Sequence, residues 1–469
     1  MGNKDYQTFI QGKARRLHPM GFDPVGDLNP NLFDWQRDIT RWALRRGRAG
    51  LYEACGLGKT LQQLAWAAAV CRHTNGNVIV HCPLGVRFQT KAEAEKFGVD
   101  VPVNVVSEQS QVQPGISLVN YQKIHHFDTS TFSGVVLDEA SILKSLDGKT
   151  RKLLTSAYRD TPYRLACSAT PAPNDYMEIG NQAEFLGVMR REEMLSTFFV
   201  HDGGETSKWR LKGHAQEDFY EWLASWCVFL DNPKDLDYET DYCLPTLTYE
   251  DHVLDSEVTL PGMLFAVPAI TLAEQRVARK ATVSDRVDFV ADLLNHSTDQ
   301  WVVWCNLNDE GTALDAAIQD AIEIAGRHSD DEKESRLFAF TRGEDRVLVT
   351  KGSICGFGMN WQNCCRTVVF PTHSWEMWHQ MVRRFWRFGQ TRPVVVHSVL
   401  SETEVAILDN IRRKEVESEQ MTIGVVAAMR SASKQEILED KRHEDYKATK
   451  KVRIPKWLNA STAEKAMVG

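Results

Sequence analysis

Six side chains in three widely separated pairs are of the types that bind and cleave a polyphosphate: Lys59 and Thr60, Asp138 and Glu139, Arg384 and Arg387. Lys59 and Thr60 end the run EACGLGKT, where Gly56, Leu57 and Gly58 offer backbone N–H groups that can close around phosphate oxygens. The lysine then reaches the outer phosphates and the threonine hydroxyl can hold Mg²⁺. The general pattern starts on glycine, and Glu53 stands at that position here. Asp138 and Glu139 close the run GVVLDEA. A carboxylate at a strand end can hold Mg²⁺ through water, and its neighbour can accept a proton from an attacking water. A solvated acidic turn is the alternative, and the phosphate loop upstream in the same strand pattern favours the hydrolytic reading. The run HQMVRRFWRFGQ, His379 to Gln390, puts Arg383, Arg384 and Arg387 on a predicted helix, with Arg384 and Arg387 one turn apart on one face. Such a pair can stabilise charge on a transferred phosphoryl group, where the alternative is a basic surface.

The elements that must position these groups follow from short apolar runs. NVIVHCP, VPVNVVS, ISLVNY, GVVLDEA and RLACSATP alternate with helical stretches, which predicts βαβ units and a parallel sheet buried on both faces. Asp138 and Ser168 fall at carboxyl ends of strands, where such sheets bind ligands. A second series, QWVVWC, IEIAGR, DRVLVTK, RTVVF and PVVVHSV, predicts a second parallel sheet without a second GKT. Between them, EFLGVMRREEMLSTFF and EDFYEWLASWCVFL read as helices, and Trp222, Trp226 and Phe229 as core. The stretch around Pro245 reads as a connector. Arg276, Arg279 and Lys280 read as a solvated basic face or as phosphate contacts. EVAILDNIRRKEVESEQM suits a helix packed on the second lobe, and the alternating charges from Lys434 onward suit a tail.

At 469 residues the chain is long enough for two or three cores. With 25% charged and 43% hydrophobic residues, its composition is that of a globular protein rather than a disordered or membrane one. No long apolar run and no apolar signal core appears, so a cytoplasmic location and no membrane partner are expected. Ten cysteines without a C-x-x-C pair argue for reduced, structural thiols, with Cys55 filling the tight turn of the phosphate loop. A net charge of −8 gives no global basic signature, so a nucleic-acid contact would rest on local patches. Gln36, in a helix starting near Pro30, has an amide able to read the N6 and N7 edge of adenine. Ser168, Ala169 and Thr170 follow a strand and can pass the phosphate state to a neighbouring surface.

These residues together resemble the superfamily-two helicases, and within them the SWI/SNF-type ATP-dependent DNA translocases, especially compact phage or prophage members. The resemblance runs from about Leu32 to Leu400 with motifs in family order: WQRD, EACGLGKT, VIVHCPLGVRFQTKAEAEKF, VNY, LDEA and SAT, then IAGRHSDDEKESRLFAF, GFGMN and QMVRRFWRFGQ. It implies an α/β fold of two RecA-like parallel-sheet lobes, with a helical insertion and a helical C-terminal extension. The implied division is an arm over 1–30, a first lobe over 31–200, an insertion over 201–280, a second lobe over 281–430 and a charged tail over 431–469. It also implies ATP and Mg²⁺ between the lobes and duplex DNA across them, hosted in the cytoplasm, with a protein partner able to supply specificity. Carried over by position, Gln36 reads adenine, Gly56 to Thr60 bind phosphate, Thr60 and Asp138 hold the metal, and Glu139 activates water. Arg384 and Arg387 act as arginine fingers. Pro83, Asn120, Gly356, Gly358 and Asn360 lie near the nucleic-acid backbone, and Ser168 to Thr170 with Gln380 couple the lobes. The chain departs from the family in Glu53 for aspartate, in Ser141 for the histidine after Asp-Glu-Ala, and in Arg383 for an aspartate. The expected activity is a DNA-stimulated ATPase that moves on DNA; the alternative is an ATP-gated clamp that binds without moving.

Overall fold

The computed structural model describes residues 20–144, 148–172, 176–202, 205–240, 243–255, 279–355 and 360–416, with 419 and 426. Most of the arm, Arg276, Gly356, Gly358 and the charged tail lie outside these residues.

Runs dominated by Val, Ile and Leu with no polar alternation form strands only where both faces are covered. In the first lobe they give β1 (Arg48–Glu53), β2 (Asn77–Cys82), β3 (Val103–Val105), β4 (Ile116–Asn120), β5 (Phe132–Asp138) and β6 (Tyr163–Ser168). Val135, Val136 and Leu137 are consecutive in β5 and all fully buried, so helices pack on both sides. The sheet is parallel with strand order β3-β4-β2-β5-β6-β1-β9, where β9 is the later strand Cys227–Leu230. This order sets the carboxyl ends of β1, β5 and β6 side by side.

The interval expected to be a helical insertion supplies a strand to each sheet as well as a helix. EDFYEWLASWCVFL is not one helix: it splits into the Gln216–Ala224 helix and β9 (Cys227–Leu230), which pairs with β1. Trp222 and Trp226 are core, as read, and Tyr52 of β1 meets Trp226 edge-on with centroids 6.2 Å apart. EFLGVMRREEMLSTFF likewise breaks at Gly187 into Ile179–Leu186 and Arg191–Phe198. A short antiparallel hairpin, β7 (Phe199–Asp202) with β8 (Glu205–Leu211), precedes the Gln216–Ala224 helix.

The stretch around Pro245 leads into β10 (Leu247–Leu254), an edge strand of the second sheet. Its sequence LTYEDHVL is largely exposed, and an edge strand needs no continuous apolar run, so its signal was weak. The five strands expected downstream form β11 (Trp301–Cys305), β12 (Ala321–Ile324), β13 (Val347–Lys351), β14 (Arg366–Val369) and β15 (Val394–Ser401). All are parallel, in the order β10-β15-β14-β11-β13-β12. The helix over 405–416 packs Ile407 and Ile411 into this lobe's core.

Arg279 is neither a solvated nor a phosphate-facing residue. It is buried, and its Nε donates to Glu404 Oε1 at 2.8 Å. Arg286 pairs with Glu404 at 3.3 Å and with Glu310 at 3.0 Å, all three side chains fully buried. This network fastens the start of the second lobe to the Asn308–Ala317 helix and to the Glu402–Glu404 turn that follows β15. All ten cysteines are free thiols, and Cys55 is buried within its turn as expected.

Candidate active site

The phosphate loop joins β1 to the Lys59–Thr74 helix, and its two glycines have φ of +91° at Gly56 and +73° at Gly58, a region other residues enter at a cost. Each is also confined: a Cβ at Gly58 would lie 2.5 Å from Gln36 Nε2, and one at Gly56 would lie 2.7 Å from the backbone nitrogen of Phe388 in the second lobe. Gln36 accepts from the Phe33 N–H at 2.9 Å and donates to the Leu57 carbonyl at 2.8 Å, bracing the loop. Each end of its amide retains one further bonding position for a base. Lys59 Nζ donates to the carbonyls of Glu53 and Ala54 at 2.6 and 3.1 Å, so its ammonium is held at the loop by its own backbone. Thr60 is the next residue of the helix, half-buried.

Glu53 does not line the cradle. It is fully buried, with Gln62 Nε2 donating to Oε2 at 2.7 Å. Burial pushes its carboxyl up to about 7, against the pull of the Lys59 charge and the Gln62 bond.

Asp138 ends β5, and its Oδ1 accepts from Gln63 Nε2 at 2.8 Å. Loss of solvent around the carboxyl pushes it up to about 6; the Gln63 bond opposes this, the neighbouring Glu139 charge adds to it, and Lys59 and Arg384, from opposite lobes, hold it down. Glu139 has a φ of +67°, a left-handed backbone costing about 1–3 kcal/mol for a residue with a side chain. Two hydroxyls fix it: Ser168 Oγ donates to Glu139 Oε1 at 2.6 Å and Ser141 Oγ donates to the same oxygen at 2.9 Å. Ser141, the departure from histidine, thus orients the candidate base directly.

The arginines do not sit on a helix as expected. The Trp375–Val382 helix ends before them, because the Arg384 and Phe385 amides bond back three residues, to Met381 and Val382, and the turn sends Phe385 into the core. Arg384 is itself buried; its Nε donates to the Gln380 carbonyl at 2.9 Å and its Nη2 to Gln380 Oε1 at 3.0 Å. Gln380 Nε2 then donates to Thr170 Oγ1 in the first lobe at 3.3 Å. Thr170 donates its N–H to Ser168 Oγ at 3.0 Å, and Ser168 reaches Glu139. A hydrogen-bonded chain therefore runs Arg384, Gln380, Thr170, Ser168, Glu139 across the lobes. Ala169 spans the turn between the two hydroxyl residues. Arg387 lies at the phosphate loop, its Cβ 3.3 Å from where a Cβ on Gly56 would be. Arg383, the third departure, lies over the Trp386 ring, 4.3 Å from its centroid.

Several residues at this junction were not singled out from sequence. Gln63 lies one turn beyond Lys59 on the same helix face, a spacing that could have marked it. His379 faces Lys59, Arg383 and Arg384; burial first, then those cations, push its imidazole well below its usual range, so it is neutral at pH 7. Lys144 and Glu376 form an ion pair between the lobes, as do Arg87 and Glu334 at 3.3 Å. No local spacing announces pairs so far apart in the chain.

A cleft of about 370 Å³ opens between the lobes, lined by Gly85, Gln89 and Glu93 on one side and Glu334, Phe338 and Asn360 on the other. Asn360 Oδ1 is buried and has no hydrogen-bond partner among the described residues. Pro83 lies in the turn leading to this wall, its carbonyl accepting from the Val86 N–H at 3.0 Å. Asn120 is not brought to the cleft: it is buried, and its Oδ1 accepts from the Gln122 N–H at 3.1 Å as a local cap.

Two parallel-sheet RecA-like lobes, one carrying a phosphate loop after its β1 and the other pressing an arginine-bearing turn against it, define the architecture. No protein-family model matches the chain, and no curated protein matches it. Among solved structures, the chain is similar to the Sulfolobus solfataricus SWI2/SNF2 ATPase core in complex with dsDNA, at 18% identity and a TM-score of 0.42, over 89% of this chain and 99% of that one.

Proposed function

We propose that this chain hydrolyses ATP between its two lobes and uses the cycle to move along duplex DNA. The observation that carries the reading is the hydrogen-bonded chain from Glu139 to Arg384, which links a candidate base in one lobe to a candidate phosphate-sensing arginine in the other. Lys59, with Gly56 and Gly58, binds the phosphates, and Gln36 braces the loop beside the base. Thr60 and Asp138 offer the hard oxygen donors that Mg²⁺ requires, and the ion would neutralise phosphate charge there. Glu139, held by Ser168 and Ser141, orients and deprotonates the attacking water. Arg384 and Arg387 stabilise charge on the transferred group, a role worth about 10³-fold or more in turnover.

Coupling follows from the same geometry. When Arg384 turns toward phosphate it must alter its bonds to Gln380, and so the contact with Thr170 on which the lobe spacing depends. The interlobe cleft, with Asn360 in its wall, is where nucleic acid would feel that change. The deciding measurement is steady-state ATP turnover by the full chain with single-stranded DNA, duplex DNA, RNA or none. Stimulation strongest with duplex DNA is expected, accompanied by displacement of a third strand from a triplex substrate. Equal turnover in all four conditions would defeat the reading; stimulation without displacement would make the protein an ATP-gated clamp.

A further inference from the structure

On the edge of the second sheet, on the face of β10 opposite the Tyr249–Trp378 contact, three potential ligands meet. We propose that Glu250, His252 and His397 bind one divalent transition-metal ion of the Zn²⁺ type, fastening β10 to β15.

The parallel register sets Glu250 directly opposite His397, and His252, two residues on, points to the same face of the sheet. His252 Nε2 stands 3.1 Å from His397 Nδ1, and that Nδ1 stands 3.3 Å from Glu250 Oε2. Four donors placed tetrahedrally about 2.0–2.1 Å from a zinc ion are about 3.3 Å from one another. These two separations match a first coordination shell, and all three ligand atoms lie within 4.8 Å of one another. Two imidazoles and a carboxylate are a donor set that suits Zn²⁺ and its neighbours rather than Mg²⁺ or Ca²⁺.

A second observation concerns how His397 is placed. It is buried, yet its Nε2 has no hydrogen-bond partner among the described residues, so every polar contact of this imidazole is made through Nδ1 toward His252 and Glu250. The His252 and His397 rings are nearly parallel, 10° apart, with Phe289 against His252 and Trp301 against His397. These aromatic walls fix both imidazoles. The nearby cation, Arg366, is engaged by Asp299 at 2.7 Å. Glu250 is on the solvent side, leaving room for a water as fourth ligand.

The position gives the ion a task. β10 is an edge strand held by one neighbour. Its odd-numbered residues are tied to the helix over 405–416, through Tyr249 with Glu415 and Asp251 with Arg412. Its even-numbered residues Glu250 and His252 have the His397 cluster instead, and an ion there would pin the other face.

The test uses full-length protein stripped with chelator and titrated with Co²⁺, then with Zn²⁺. Expected are one Co²⁺ per chain with visible d–d bands of a four- or five-coordinate ion, no thiolate charge-transfer band, displacement by Zn²⁺, and a Zn²⁺-dependent rise in Tm reversed by EDTA. His252→Ala, on the half-buried edge, should weaken Co²⁺ binding by at least about a hundredfold. Glu250→Gln should do so to a lesser degree, with circular dichroism of both unchanged, while Cys243→Ser leaves binding intact. Failure to bind stoichiometric Co²⁺, or binding equal to wild type in His252→Ala, overturns the proposal. None of these readouts depends on ATP turnover.

Discussion

Gln380 Nε2 lies 3.3 Å from Thr170 Oγ1, and through this contact the two lobes share one hydrogen-bonded chain, because Arg384 holds the other end of the Gln380 amide and Ser168 the backbone of Thr170. Replacing Thr170 by Ala removes one neutral hydrogen bond, about 0.5–1.5 kcal/mol, whereas replacing Gln380 by Ala removes that bond together with the charged one from Arg384. ATP binding should persist, basal turnover should change less than about fivefold, and stimulation by nucleic acid should be lost. The double variant should resemble Gln380→Ala alone, since the link to Thr170 is already broken there. Stimulation retained in both would remove this contact from the coupling path.

Gly56 is pressed between its own strained turn and Phe388 of the opposite lobe. In Gly56→Ala the left-handed backbone costs about 1–3 kcal/mol, and the methyl group meets a backbone nitrogen that cannot rotate aside. The arginine turn is then pushed away from the phosphate loop. Turnover should fall at least about tenfold; wild-type kinetics in this variant would show that the lobes do not close in this way during catalysis.

Glu53 provides a pH test. Its folded value of about 7 lies above the ordinary 4.5, so the folded state holds the proton more tightly than the unfolded chain. The associated stability is fully present below about 4.5, declines as pH rises toward 7, and is flat above that. Ionisation of this buried acid should cost on the order of 1–3 kcal/mol at pH 8. Glu53→Gln keeps the shape without the charge. Urea unfolding of variant and wild type at pH 5 and pH 8 should show a difference that shifts in favour of the variant at the higher pH; a pH-independent difference would mean Glu53 titrates normally.

Arg286 neutralises two fully buried carboxylates, Glu310 and Glu404. Arg286→Ala leaves both charges without it, and breaking a buried pair in this way costs about 3–5 kcal/mol. Chemical denaturation should show the second lobe unfolding earlier. A loss below about 1 kcal/mol would mean that water or Arg279 substitutes for it.

Much of this was legible in the chain itself. GLGKT, DEA and the five apolar runs from QWVVWC to PVVVHSV are local patterns, and local patterns dictate turns and buried strands because backbone sterics and burial act over a few residues. Where the local signal was mixed, tertiary context decided: CVFL, read as helix, became β9 because the open edge of β1 offered it backbone partners, and LTYEDHVL became β10 beside β15 although most of it faces solvent. Arg384 and Arg387 were singled out by type and order, but their turn was not legible, since it depends on Phe385 entering the second lobe's core.

What the sequence alone determined, then, was which side chains are candidates for the chemistry and that the chain folds into two parallel-sheet lobes. What only the tertiary structure decided was how they meet: Gly56 against Phe388, Gln380 on Thr170, Ser141 on Glu139, and His252 beside His397. Such contacts depend on strand register and lobe packing, which are summed over many weak, distant interactions and leave no spacing in the chain to read.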